Sequence, residues 1–127
     1  MWEKIEELIG QVILIAPREV YRELKQQADD IYFWAKNNKT MFKTINGKEL
    51  SEVKNILKVY PDLINYNKTT PDADPFIIAL AKHRACTVIT QERLKPSGKP
   101  KIPNVCKDYG INCIDLLGFF IDQKWSF

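Results

Sequence analysis

A chain of 127 residues, 45% hydrophobic and carrying three tryptophans, is long enough to bury a core without disulfide or metal staples, and it reads as a single domain over residues 1–127. A net charge of +3 does not by itself mark a nucleic-acid binder, and no apolar run approaches the length of a bilayer span. The opening MWEKIEELIG is charged and amphipathic, unlike a signal peptide, so a cytoplasmic setting with no membrane attachment is expected. Cys86, Cys106 and Cys113 form an odd set without paired short spacings, which argues for buried free thiols over a disulfide framework or a zinc site. The single histidine, His83, reads as a helix C-terminal residue and leaves little for histidine-based catalysis.

In chain order, Trp2, Ile5, Leu8 and Ile9 share one face of an expected first helix. QVILIAP (11–17) is a β-branched run ended by a proline and is expected to be a short strand. Pro17 suits the first position of a helix through REVYRELKQQ, with Val20, Tyr21 and Leu24 inward. DDIYFWAKNN is a further helix, capped by Asp29 or Asp30 and stopped at Asn37-Asn38. Asn46-Gly47 predicts a turn. The helix after it carries a stripe of Leu50, Val53, Ile56 and Leu57 and cannot continue past Pro61. A polar connection leads to a helix that opens near Asp72 to Asp74, with Pro75 in its first turn. CTVIT (86–90) reads as a buried parallel strand, IPNVCKDYG as a helix closed by Gly110, INCID as a second strand, and LLGFFIDQ as a last helix. Alternating helices and short apolar strands imply α/β with a short parallel sheet.

The chemistry concentrates where apolar segments begin and end. Open α/β sheets bind ligands beyond the carboxyl ends of their strands, and Glu92 lies two residues past TVIT. Asp74 sits at a helix N-terminus, where the dipole is expected to keep its carboxylate ionised. Carboxylates clustered without His or Cys suit hard cations such as Mg²⁺ or Mn²⁺. On the bland reading, Asp72 and Asp74 are caps and Glu92 a loop residue. The loop ERLKPSGKPK offers Arg93, Lys95 and Lys99 to a phosphate backbone, or simply to water.

Asp74-Pro75-Phe76-Ile77-Ile78-Ala79-Leu80-Ala81 followed by TVITQE resembles the second half of a PIN domain, in which an aspartate opens a D-x-x-I-x-A-x-A helix and the next strand ends T-x-D or T-x-E. KIPNVCKDYGINCIDLLGFF resembles the tail of a PIN-like group of small prokaryotic proteins, PREVYREL the helix that carries an acidic ligand, and FWAKNN the tryptophan-containing helix after it. The resemblance implies a three-layer α/β/α fold and a metal-dependent ribonuclease of the VapC toxin type. Asp74, Glu92 and Glu23 would hold Mg²⁺ or Mn²⁺, with Glu19 an outside candidate and Thr90 and Asp72 in support. Arg93, Lys95 and Lys99 would face the RNA, and an antitoxin protein or a second copy of the chain would be the protein partner. One departure matters. Members of the family begin with a central strand that ends in an aspartate, and no stretch here matches it, so the expectation is a fold without that strand and with a sheet edge that a partner chain could cover. The alternatives are a degenerate module that binds RNA or protein without cutting, and a structural protein whose acids only cap helices.

Overall fold

The computed structural model describes residues 2–10, 14–26, 30–63, 72–90, 92 and 100–123. Seven helices and four two-residue strands are described: α1 (Trp2–Gly10), β1 (Ala16–Pro17), α2 (Arg18–Lys25), α3 (Asp30–Lys36), β2 (Phe42–Lys43), α4 (Gly47–Val59), α5 (Asp74–Arg84), β3 (Val88–Ile89), α6 (Ile102–Tyr109), β4 (Cys113–Ile114) and α7 (Leu116–Asp122). Single 3₁₀ turns lie at Lys39–Met41 and Pro61–Leu63. The fold is α/β, and its strand pairs are parallel, as the alternation of elements required. The single expected sheet is instead two separate pairs among the described residues. Ala16 is opposite Phe42 in β1–β2, and Val88 is opposite Cys113 in β3–β4.

The helix α5 is the hub. Ile78, Ala79, Leu80 and Ala81 are buried in succession, so apolar contact surrounds the helix instead of lining one stripe. It packs against α4, α6, β1 and β3. Val53 and Ile56 of α4 and Ile102, Val105 and Cys106 of α6 complete the main cluster with Ile78 and Val88. Pro75 fits the first turn of α5, where no intrahelical amide is lost. The helix closes on Ala85 in the left-handed region (φ 54°), and α6 closes on Gly110 (φ 70°), the residue best suited to it.

Several local expectations change. Among the described residues of the QVILIAP run, Ala16–Pro17 is a strand; residues 11–13, and Asp29 as a cap, lie outside the described residues. Pro17 precedes α2 as its N-cap and is not its first helical residue. Asn46-Gly47 is a helix start and not a turn. Asn46 Oδ1 accepts from the Glu49 amide at 2.8 Å, and Glu49 Oε1 accepts from the Asn46 amide at 2.9 Å. This reciprocal cap satisfies two otherwise orphaned donors. Leu50 is 43% exposed, whereas Glu49 beside it is 1% exposed, because the start of α4 turns its acid inward. There Arg84 Nε donates to Glu49 Oε2 at 3.0 Å, and Arg84 Nη2 donates to Oε1 at 3.4 Å. Val20, Tyr21 and Leu24 are half-buried, and the buried residue of α2 is Glu19. Cys106 is the buried thiol; Cys86 and Cys113 are half-buried, and all three are free.

Burial pushes the Glu49 carboxyl up, but hydrogen bonds from Arg84 and the Asn46 amide outweigh it, and the net shift is downward. Glu49 therefore contributes stability that is present above the ordinary carboxylate range and is lost as pH falls through its lowered value. Asn46→Ala is expected to cost about 1 kcal/mol and Glu49→Ala about 2 kcal/mol in urea denaturation at pH 7. The penalty of Glu49→Ala should shrink at acid pH, where the wild-type carboxylate is itself protonated.

Candidate carboxylate site

Three segments bring acids to one place. Glu19 and Glu23 are four residues apart on α2 and share a face. Asp72 and Asp74 lead into α5, and Glu92 follows β3. Glu23 Oε1 accepts from the Ala73 amide at 3.1 Å, which ties α2 to the start of α5. Glu92 Oε2 accepts from the Ile102 amide at 3.0 Å, which ties the exit of β3 to the start of α6. Thr90 Oγ1 accepts from the Glu92 amide at 3.1 Å and so fixes the direction in which the chain leaves β3.

Asp74 is where these charges converge. Burial pushes its carboxyl up to about 6, and the neighbouring carboxylates of Glu92, Glu23 and Asp72 push it the same way; only Lys101 opposes them. The carboxyl is thus raised, although a helix N-terminus by itself would lower it. A helix dipole offers about half an elementary charge, and desolvation with three nearby acids outweighs it. Asp72 is 9% exposed and makes no helix cap, since the N-cap of α5 is Ala73, without a side-chain capping bond. Glu19 is also 9% exposed, and its Oε1 is buried without a hydrogen-bond partner. A buried carboxylate oxygen without a hydrogen-bond partner is costly to keep.

The structure therefore brings Glu23, Asp72, Asp74 and Glu92 within electrostatic reach of one another, with Thr90 as the support of Glu92. Glu19 is a stronger candidate than its position suggested, because burial is set by packing and not by spacing. Lys101 was legible only as part of a basic loop, yet it is the cation beside Asp74. Arg93, Lys95 and Lys99 lie outside the described residues. The thiols take no part: burial, and then Cys113, pushes Cys106 up to about 12, and Cys113 is raised by burial and also by Glu92.

The donor set is all oxygen, which fits a hard dication. It is not a ready-made cage: among the described residues no group of three His, Cys, Asp or Glu side chains is arranged to hold a metal ion. Nor is any described helix long and apolar enough to cross a membrane.

The class defined so far is a small α/β domain with a carboxylate cluster beyond the carboxyl end of β3. The whole chain, residues 1–127, matches the family described as "Domain of unknown function (DUF4411)", and the protein belongs to that family. No curated protein and no solved structure matches it.

The raised Asp74 carboxyl has a thermodynamic consequence. Its stabilising protonated form is fully present below the ordinary carboxylate range near pH 4 and is lost as pH rises through about 6. Asp74→Asn, which is neutral at every pH, is expected to stabilise the fold by about 1 kcal/mol at pH 7 after allowance for solvent screening. The gain should vanish near pH 4, as urea titrations of both proteins at the two pH values will show.

Proposed function

We propose that this protein is a PIN-like, metal-dependent ribonuclease of the VapC toxin type, acting on RNA phosphodiesters through Mg²⁺ or Mn²⁺. The observation that carries the reading is Asp74, whose carboxyl is pushed up by burial and by the carboxylates of Glu92, Glu23 and Asp72 together. Gathering like charges around a half-buried acid opposes folding, and sites of chemistry are where such arrangements persist.

Asp74, Glu92 and Glu23 would hold the ion, with Glu19 and Asp72 behind them. A bound dication supplies charge that acidifies water and neutralises the phosphodiester under attack. The residues of the chain do the rest. Glu23 and Glu92 are each held by a backbone amide through one oxygen, so their positions are set by α5 and α6. Thr90 fixes the Glu92 backbone. Because the Asp74 carboxyl is raised to about 6, a cation held there would bind more weakly as pH falls through that value. Lys101 adds a positive charge beside Asp74 that suits a phosphate, and the sequence supplies three more cations, Arg93, Lys95 and Lys99, between Glu92 and Lys101. A protein antitoxin would act by covering this acidic edge.

A second reading is a non-cleaving RNA- or protein-binding module. It is favoured by the same two carboxylates, since Glu23 and Glu92 already spend an oxygen on helix starts and the acids stop short of a cage among the described residues. The deciding measurement is cleavage of a mixed RNA pool in Mn²⁺, with and without EDTA, beside Asp74→Asn. Cleavage abolished by EDTA and reduced to background in the variant is expected. A well-folded wild-type chain that leaves the pool intact would overturn the nuclease and leave the binding module.

A further inference from the structure

Two of the three cysteines are brought together by a single turn. Cys106 lies on α6 and is fully buried, and Cys113 opens β4, half-buried against the same apolar cluster. The chain between them reverses at Gly110, whose left-handed backbone (φ 70°) would strain any side chain. The Ile111 amide donates to the Cys106 carbonyl at 2.9 Å and the Gly110 amide to the Lys107 carbonyl at 3.3 Å, which closes the turn. β4 is then held by its pairing with β3, Val88 opposite Cys113. In this setting the Cys106 thiol donates a hydrogen bond to the Cys113 sulfur. Cys86 is engaged elsewhere, its Sγ donating to the Arg84 carbonyl at 3.6 Å. As packing, a thiol is a small hydrophobe with a weak donor, so the contact of two thiols adds little to stability. As chemistry, two sulfurs at hydrogen-bond distance are one oxidation away from a covalent bond.

We propose that Cys106 and Cys113 are a reversible dithiol–disulfide pair that hydrogen peroxide oxidises, with Cys113 as the attacking thiol and Cys106 as the resolving one. The order follows from access and from the direction of the hydrogen bond. Cys113 is the more exposed of the two, and a donor aimed at its sulfur favours the thiolate that must attack. In the first step the Cys113 thiolate attacks one peroxide oxygen and the O–O bond breaks. Hydroxide leaves, takes up the proton that Cys113 gave up, and a sulfenic acid remains on Cys113. In the second step the Cys106 sulfur attacks the Cys113 sulfur. The S–S bond forms, the S–O bond breaks, and the departing hydroxide takes the Cys106 proton as water. Two thiols and one peroxide thus become one disulfide and two waters, with sulfur oxidised and peroxide oxygen reduced. The sulfurs close from contact to about 2 Å, a movement shared by two side chains on one turn. Burial raises both thiols, so thiolate is scarce and the pair answers sustained exposure to oxidant and not a brief pulse. This inference does not rest on the nuclease reading.

The test uses the full chain, reduced, freed of reductant, held in excess hydrogen peroxide and quenched with catalase. Free thiols are then counted in guanidinium and the chain is mapped by mass after trypsin, which cuts at Lys107 between the two cysteines. The count is expected to fall from three thiols to one, with a linked peptide pair that joins Cys106 to Cys113, and dithiothreitol should restore all three. Cys86→Ser should leave this oxidation unchanged. In Cys106→Ser, where the bond cannot form, dimedone should trap the sulfenic acid at Cys113. Three outcomes would overturn the proposal: three thiols surviving the peroxide, a disulfide that uses Cys86 or joins two chains, or dimedone on Cys106 of Cys113→Ser but not on Cys113 of Cys106→Ser. If the change at the buried Cys106 prevents folding, the peptide map of the unaltered chain decides the matter by itself.

Discussion

The contact on which the arrangement depends is the one between Glu49 and Arg84. It joins the first turn of α4 to the last turn of α5, and it does so with a carboxylate that is almost wholly buried. A buried acid is tolerated only when its oxygens are occupied, and those of Glu49 are shared between Arg84 and the Asn46 amide. With its C-terminal end held there, and the Ala73 amide held by Glu23 at the other, α5 has little freedom to slide or rotate. That fixes where Asp74 stands. The acidic site is thus positioned by an ion pair at the far end of the same helix, a dependence that no inspection of the site alone would reveal.

The carboxylates carry two duties that pull in different directions. As acceptors of backbone amides, Glu23 and Glu92 hold helix starts and gain from being charged. As neighbours of Asp74 they repel its negative charge. The fold accommodates both by letting Asp74 take the strain, and its carboxyl is shifted well upward. A site of this kind trades stability for a region of concentrated negative potential.

How much of this was legible in the sequence depends on the range of the forces involved. The start of α5, the closing Gly110 of α6, the parallel strands at Val88–Ile89 and Cys113–Ile114, and α7 all follow from local chemistry, and all are present. Asn46 was misread because asparagine serves turns and helix caps alike; Glu49 three residues on, the partner in a capping box, was the signal that would have settled it. The strand at Phe42–Lys43 is two residues long and has no alternation to detect. Which of Glu19 and Glu23 turns inward is a matter of helix rotation against neighbours, fixed by packing. The upward shift of Asp74 could not be read from its helix position, because it comes from burial and from carboxylates that are mostly distant in sequence.

The pairing of strands also bears on how the chain reaches this state. Each parallel pair is closed by its own crossover, α2 and α3 between β1 and β2, and α6 between β3 and β4. Neither pairing has to wait for the other, and each closes a loop that is short compared with the whole chain. Closure of such loops costs only a little more than closure of smaller ones, because the entropy of closure grows slowly with length. The halves can therefore assemble as separate units and meet on α5, which touches β1 and β3 alike. The two pairings are thus joined through α5, so a change that loosens this one helix reaches both of them at once.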